Sequence, residues 1–280
     1  MRITKVAIGL IAAGLLVSGC GKGASAIAIT EGKGGGADLF AAMEEAQREA
    51  GSYRFEMTMD VDGAEVTGSG EASVGSSPAD QAVAMTMSMP DGMGSYDIRV
   101  LGTKIYMSTG IFGLPGDDRW LVMDPAGDDL FSQMLGDTSN LLAGTDLQSQ
   151  FSEYNDMIEV EEVGSDTVDG VEVTEYAVTA DLEASLDMLG VSEQMPADVP
   201  FEEITFSLFV DDDALARLVS FDLDGQGSME MRFFDYGEDV VVEEPPADQL
   251  TDFFSFFQEL TGQELSEEEL AELAEMMGGN

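Results

Sequence analysis

The ten residues Ser52-Tyr-Arg-Phe-Glu-Met-Thr-Met-Asp-Val61 carry five apolar side chains in strict alternation: Tyr53, Phe55, Met57, Met59 and Val61. Successive side chains of a strand point to opposite faces. A period of two therefore commits this segment to a β-strand with one apolar side. Such a strand needs neighbours of the same pattern before it is stable. The sequence supplies them. Asp62-Gly63 is a hairpin turn signal, and the return segment Ala64 to Val74 puts small residues inside: Ala64, Val66, Gly68, Gly70 and Ala72. Val83, Met85, Met87 and Met89 alternate next, then Tyr96, Ile98 and Val100. Strands are further expected at 104–108, 120–123, 158–163, 171–180, 204–210, 217–223 and 229–234, with Asp169-Gly170 and Asp211-Asp-Asp213 at turns.

Helical spacing is confined to a few places. Asp38 reads as an N-cap ahead of Leu39, Phe40, Met43, Ala46 and Ala50, which share one face, and Gly51 ends the helix. Asp128-Asp129 opens a helical insertion with Leu130, Phe131, Met134 and Leu135; Leu141, Leu142, Leu147 and Phe151 continue it less regularly. Leu182 to Leu189 reads as a short helix and Pro196 to Pro200 as a loop. Ser266-Glu-Glu-Glu269 is a capping box before a last helix with Leu270, Leu273 and Met277 on one face. The expected class is α+β: an antiparallel sheet, apolar on one face, laid over helices.

The first residues fix the compartment. Arg2 and Lys5 precede an apolar run, Val6 to Val17, too short for a comfortable membrane span. It ends in Val17-Ser18-Gly19-Cys20. Small residues before a cysteine are the pattern of a bacterial lipoprotein signal, cut before a Cys whose thiol carries lipid. A plain secretory leader with an incidental cysteine is the alternative. Cys20 is the only cysteine, so an intramolecular disulfide is excluded. No twin arginine suggests Tat export. The expected division is a leader at 1–19, a flexible tether at 20–37 rich in Gly, Ala and Ser, a ligand-binding domain at 38–247, and an acidic amphipathic helical extension at 248–280.

Charge narrows the partners. The chain has 56 acidic and 11 basic residues, a net of −45. Without the leader, and with it Arg2 and Lys5, nine basic residues face the same 56 acids, a net of −47. A polyanion partner such as nucleic acid would be repelled. Anionic headgroups would not attract this surface either, so the lipid on Cys20 must anchor the chain, on the extracytoplasmic side of the cell membrane.

Little here supports catalysis. Histidine is absent, which removes the commonest general base and metal ligand. No Ser-His-Asp or Cys-His set can be assembled, and no phosphate-cradling glycine pattern occurs. Asp124, Asp128 and Asp129, or Asp211 to Asp213, lack calcium-loop spacing and read as solvated turns. No enzyme activity, cofactor or metal is therefore expected. The methionines leave a choice. Met57/Met59, Met85/Met87/Met89 and Met229/Met231 each place thioethers on one side of a strand, as a copper(I) chaperone would need. The same positions continue an apolar alternation that Phe, Val or Tyr serves elsewhere, and Met is a flexible gap-filler. Core or cavity lining is the preferred reading.

Four local motifs then carry a resemblance. They are Asp117-Asp-Arg-Trp120-Leu-Val-Met-Asp124, Thr167-Val-Asp169-Gly170-Val-Glu-Val-Thr-Glu-Tyr176, Leu208-Phe-Val-Asp211-Asp-Asp-Ala-Leu215-Ala-Arg217 (with Ala214 where Gly is usual) and Asp235-Tyr-Gly237-Glu-Asp-Val240-Val-Val-Glu-Glu-Pro245-Pro. Together, in this order, they resemble the LppX/LprA/LprF/LprG-type actinobacterial lipoprotein family, from Leu39 to about Leu250. The resemblance implies a LolA/LolB-like carrier fold, a half-barrel sheet around helices with an apolar cavity. It implies a monomer that binds acyl chains of envelope lipids or glycolipids, with a flap gating the cavity and an envelope transporter as a possible partner. Phe55, Met57, Met59, Met85, Met87, Met89, Ile98, Val100, Phe206 and Leu208 are the expected lining, and small Gly68, Gly70 and Ala72 beside the long methionine rows are expected to leave room. The acidity and the C-terminal extension depart from the family pattern. The other reading is a scaffold lipoprotein whose acidic surface docks a basic partner.

Overall fold

The structure is a computed structural model. It describes residues 32–33, 36–61, 63–75, 77–90, 94–112, 118–124, 158–181, 203–222, 227–252, 255–256 and 258–259. The leader with Cys20, most of the expected tether, the helical insertion after Asp128, the 182–189 helix, the 196–200 loop and the capping-box helix lie outside the described residues.

Among the described residues thirteen strands form one sheet: β1 (Gly32–Lys33), β2 (Ser52–Val61), β3 (Ala64–Ser73), β4 (Ala82–Ser88), β5 (Ser95–Leu101), β6 (Lys104–Ser108), β7 (Trp120–Met123), β8 (Ile158–Val168), β9 (Val171–Asp181), β10 (Glu203–Asp211), β11 (Ala216–Asp222), β12 (Gly227–Phe234) and β13 (Leu250–Asp252). Their order is β1-β8-β9-β10-β11-β12-β2-β3-β4-β5-β6-β7-β13. Every pair is antiparallel except β13 with β7. The sheet is open, and twist makes an open sheet of this size curl. The α+β expectation is met, with helix α1 (Gly36–Ala50) on the apolar face.

Period two set the register. Tyr53, Phe55, Met57 and Met59 all face the same side and are buried, as are Met229, Met231 and Phe233 opposite them on β12. Helix α1 brings Leu39 and Met43 onto this face. It ends at Gly51, whose φ of 77° suits glycine and whose N–H reaches the Gln47 carbonyl at 2.9 Å.

Three sequence boundaries move. Gly32–Lys33, expected within a free tether, pairs with Val160 and Glu159 of β8. β8 runs to Val168 rather than 163, because a bulge between Glu162 and Gly164 lets it bend and continue. Leu250–Asp252, expected in a helical extension, is strand β13 beside Trp120 to Val122. Both short strands lie at sheet edges, where even two or three residues cap unpaired backbone groups.

The last two resemblance motifs meet in space. Asp211 accepts the Arg217 guanidinium at 2.6 and 2.7 Å, and its other oxygen accepts the N–H groups of Asp213 and Leu215. Arg217 stacks over Tyr236 at 5.0 Å, and the Tyr236 hydroxyl donates to the Ala216 carbonyl at 2.6 Å. Gly237 N–H donates to the Ser52 carbonyl, and Ser52 Oγ donates to the Glu238 carbonyl. The β10–β11 hairpin, the exit of β12 and the start of β2 are thereby tied together.

Within that hairpin Ala214 holds φ 61°, a left-handed conformation that costs a residue with a Cβ roughly 1–2 kcal/mol. Part of that is offset by glycine's greater freedom when unfolded. Ala214→Gly is therefore expected to stabilise the fold by about 0.5–1 kcal/mol, read as a higher urea midpoint at unchanged slope.

Candidate functional site on the helix-facing side of the sheet

Two cross-strand rows define the apolar face. One runs Met231, Met57, Gly68, Met87, Tyr96, from β12 to β5. The next runs Phe233, Phe55, Gly70, Met85, Ile98, Met107, from β12 to β6. The alternation on β2 and β4 built these rows, and the hairpin registers aligned them.

The expected lining residues separate into two groups. Phe55, Met57, Met59 and Met87 are buried in one cluster with Leu39 and Met43 of α1. Phe206 and Leu208 belong to the same cluster on β10, Leu208 with no exposure at all. Met85 packs against the cluster but is only half-buried, with Val83 and Tyr96. Ile98 and Val100 are half-buried and lie outside it. Met89 falls one residue beyond β4, its N–H bonded to the Gly94 carbonyl, so it does not continue the methionine row. Among the described residues the face is thus sealed from β8 to β2 and half-buried at Val83, Met85, Ile98 and Val100 on β4 and β5.

The glycine row corrects one expectation. Gly68 and Gly70 suggested open room beside long methionines. A Cβ on Gly68 would lie 2.7 Å from Met87 Sδ and 3.3 Å from Met57 Cε. On Gly70 it would lie 2.5 Å from Phe55 Cζ and 2.5 Å from the Ala84 carbonyl oxygen. The neighbours have lain down over the glycines and filled the space, as interiors packed to crystal density require. Val83, Tyr96, Met229, Met231 and Phe233 also belong to this face. They were visible in the alternation of β4, β5 and β12, but only the cross-strand register joins them to the β2 residues.

Polar groups on the helix carry one titration signal. Burial, then the neighbouring Glu45 carboxylate, raises Glu44 from its ordinary 4.5 to about 6; Arg48 pairs with it at 3.5 Å. Burial also pushes the Tyr53 phenol up to about 12, beside Phe233 and Tyr236 at ring distances of 5.8 Å. Among the described residues no group of three or more His, Cys, Asp or Glu is placed to hold a metal ion. Nor is any described helix long and apolar enough to cross a membrane.

No family model matches the chain, and no curated protein matches it. Among solved structures it is similar to the lipoprotein LppX of Mycobacterium tuberculosis, at 16% identity and a TM-score of 0.45, over 71% of this chain and 94% of that one. It is similar to LprF from Mycobacterium bovis at 12% identity and 0.43, over 77% and 99%. A LolA superfamily protein from Nitrosomonas europaea follows at 8% and 0.23, over 72% and 90%.

Two substitutions separate rigid from yielding packing. Gly70→Ala meets a backbone oxygen and is expected to destabilise by about 1–3 kcal/mol. Gly68→Ala meets the movable end of Met87 and is expected to cost under about 1 kcal/mol, both read by urea denaturation. Glu44 gives a pH prediction. Its folded form holds the proton more tightly than the unfolded chain, so its contribution to stability falls as pH rises from 4.5 to about 6. Glu44→Gln stays neutral and should gain stability relative to the parent across that window, with a flat difference above and below it.

Proposed function

We propose that the chain is a non-enzymatic, lipid-anchored protein of the cell envelope. It binds acyl chains of lipids or glycolipids against the apolar face of its sheet, for transport or presentation. Cys20 would carry the anchoring lipid on the extracytoplasmic side, and the chain would act as a monomer that hands its ligand to an envelope transporter.

One observation supports the reading above the others. Among the described residues the apolar face is sealed under α1 and at Met87 but only half-buried where Val83 faces Val100 and Met85 faces Ile98 on β4 and β5. A soluble sheet normally completes that burial with its own side chains. A row of flexible thioethers and branched aliphatics suits ligands of variable apolar shape.

Magnitudes constrain the ligand. Each buried methylene contributes about 0.8 kcal/mol, so ten give about 8 kcal/mol. Association costs roughly 4–15 kcal/mol in lost freedom. One short chain therefore breaks even, and a long or two-chain ligand is expected.

Native mass spectrometry tests this directly, on the full chain carrying Cys20→Ser so that no covalent lipid confuses the reading. A bound lipid, released by organic extraction, is the expected outcome. A protein that stays empty after incubation with envelope lipid extract overturns the carrier reading. The acidic scaffold would then take its place, recognised by a basic partner whose capture is lost at high salt.

A further inference from the structure

The opposite face of the same strands holds a cavity of about 500 Å³, within the ~300–1,000 Å³ range of small-molecule sites. Its walls mix polar side chains with apolar ones, among them Phe55, Met85, Ile98 and Phe234. One cross-strand row runs Arg54, Glu71, Ala84, Arg99 over β2 to β5, beginning beside Phe234 of β12. The adjacent row runs Glu56, Ser69, Thr86, Asp97 over the same four strands. Guanidinium groups thus stand at both ends of the first row and carboxylates at both ends of the second.

We propose that this cavity binds a neutral oligosaccharide. The charge pattern selects the ligand class. Two arginines and three carboxylates alternate in the walls, so no single-sign field gathers there for an ion. An anion would also meet a chain of net charge −45. A cation would find Arg54 and Arg99 in the site and acidic surface without them elsewhere. A sugar hydroxyl is donor and acceptor at once, and needs donors and acceptors side by side. Charged partners make such bonds stronger than neutral ones do.

The groups that would do this are held in place and incompletely used. Arg99 donates through Nη1 to the Glu243 carbonyl at 2.6 Å and lies over the Trp120 ring at 4.7 Å. No carboxylate among the described residues pairs with it, and its remaining N–H donors form a rigid fork. Asp97 accepts from the Thr86 hydroxyl at 2.6 Å through one oxygen and has the other to offer. Glu56 and Ser69 make no side-chain hydrogen bond or ion pair among the described residues. Strand spacing of about 4.8 Å sets these groups roughly one sugar ring apart. Phe234 supplies an aromatic edge for the apolar face of a ring. Its polar side chains lie across the sheet from the proposed acyl surface, and Phe55, Gly70, Met85 and Ile98 of the same strands border both.

The test is saturation-transfer NMR on the full chain carrying Cys20→Ser, with cellotriose, maltotriose, mannotriose and N-acetylchitotriose as probes. At least one is expected to receive saturation and to shift the Ser69 and Thr86 amides. Arg99→Met and Asp97→Asn should each weaken it about tenfold, the loss of one hydrogen bond to a charged group. Binding should hold between about 0.1 and 0.5 M salt, since a neutral ligand is not screened. Arg99 also holds the Glu243 segment, so the exposed Glu56→Gln and Thr86→Val serve as variants that leave that contact alone. No transfer to any probe overturns the proposal. So does binding indifferent to all four variants, or binding that collapses with salt, which marks an ionic ligand.

Discussion

A sheet of thirteen strands at about 4.8 Å spacing is some 58 Å across, whereas fifteen helical residues extend only about 22 Å. Helix α1 begins where Gly36 meets Val160 of β8 and ends where Gly51 leads into β2, five strand intervals away. It therefore lies across the strands and covers the β8-to-β2 part of the apolar face. Most of the sealed core, from Val160 and Val178 to Met57 and Phe55, falls within that reach, and Ala72 on β3 and Met87 on β4 extend it by two strands. What lies beyond, on β4 and β5, must find other cover. Met85, Ile98 and Val100, beyond that reach, are half-buried, whereas Leu121, further along the same row, is buried.

Methionine and glycine solve a local packing problem at the border between the two regions. Glycine on β3 lowers the floor of the sheet at Gly68 and Gly70, and the long side chains of Met57, Met87 and Phe55 settle into the dip. A thioether adapts its shape by rotation about three bonds, where a β-branched residue would leave a gap or clash. The same freedom allows such a surface to change shape cheaply. The Gly70 contact with the Ala84 carbonyl has no such freedom. Rigid and yielding contacts therefore sit in adjacent rows.

Much of this was legible in the sequence, because burial on one face writes a period of two into every long strand. Eleven of the thirteen described strands can be read from the sequence, most of them from such alternation, and Gly51, Gly63 and Gly170 mark turns with positive φ. The two edge strands were not legible: Gly32–Lys33 and Leu250–Asp252 are too short to show any period, and only the β8 and β7 edges make them strands. The filled glycines were misread for a related reason. Sequence shows that Gly68 has no side chain, but not that Met87, its partner on the neighbouring strand, lies over it. The polar cavity depends wholly on register: Arg54 and Arg99 are 45 positions apart and meet only because three hairpins align them.

The scarcity of cations explains how the pieces are joined. With 11 basic residues against 56 acidic ones, each arginine is surrounded by possible partners, and its choice is set by geometry. Arg54 links β2 to β3 and to Asp235 beyond β12. Arg119 pairs with Glu259 and lies over Phe256, holding the chain beyond β13 to the β7 edge. Arg232 reaches from β12 to Asp169 in the β8–β9 turn. Exposed pairs of this kind contribute about 1 kcal/mol at most. Arg217 differs, because the Asp211 side chain is only 5% exposed and has its remaining oxygen filled by two backbone donors. Removing one partner there would strand a buried charge, a loss of about 3–5 kcal/mol. The most buried of these ionic contacts thus sits in the β10–β11 hairpin, beside the exit of β12 and the start of β2, and the exposed ones lie outside it.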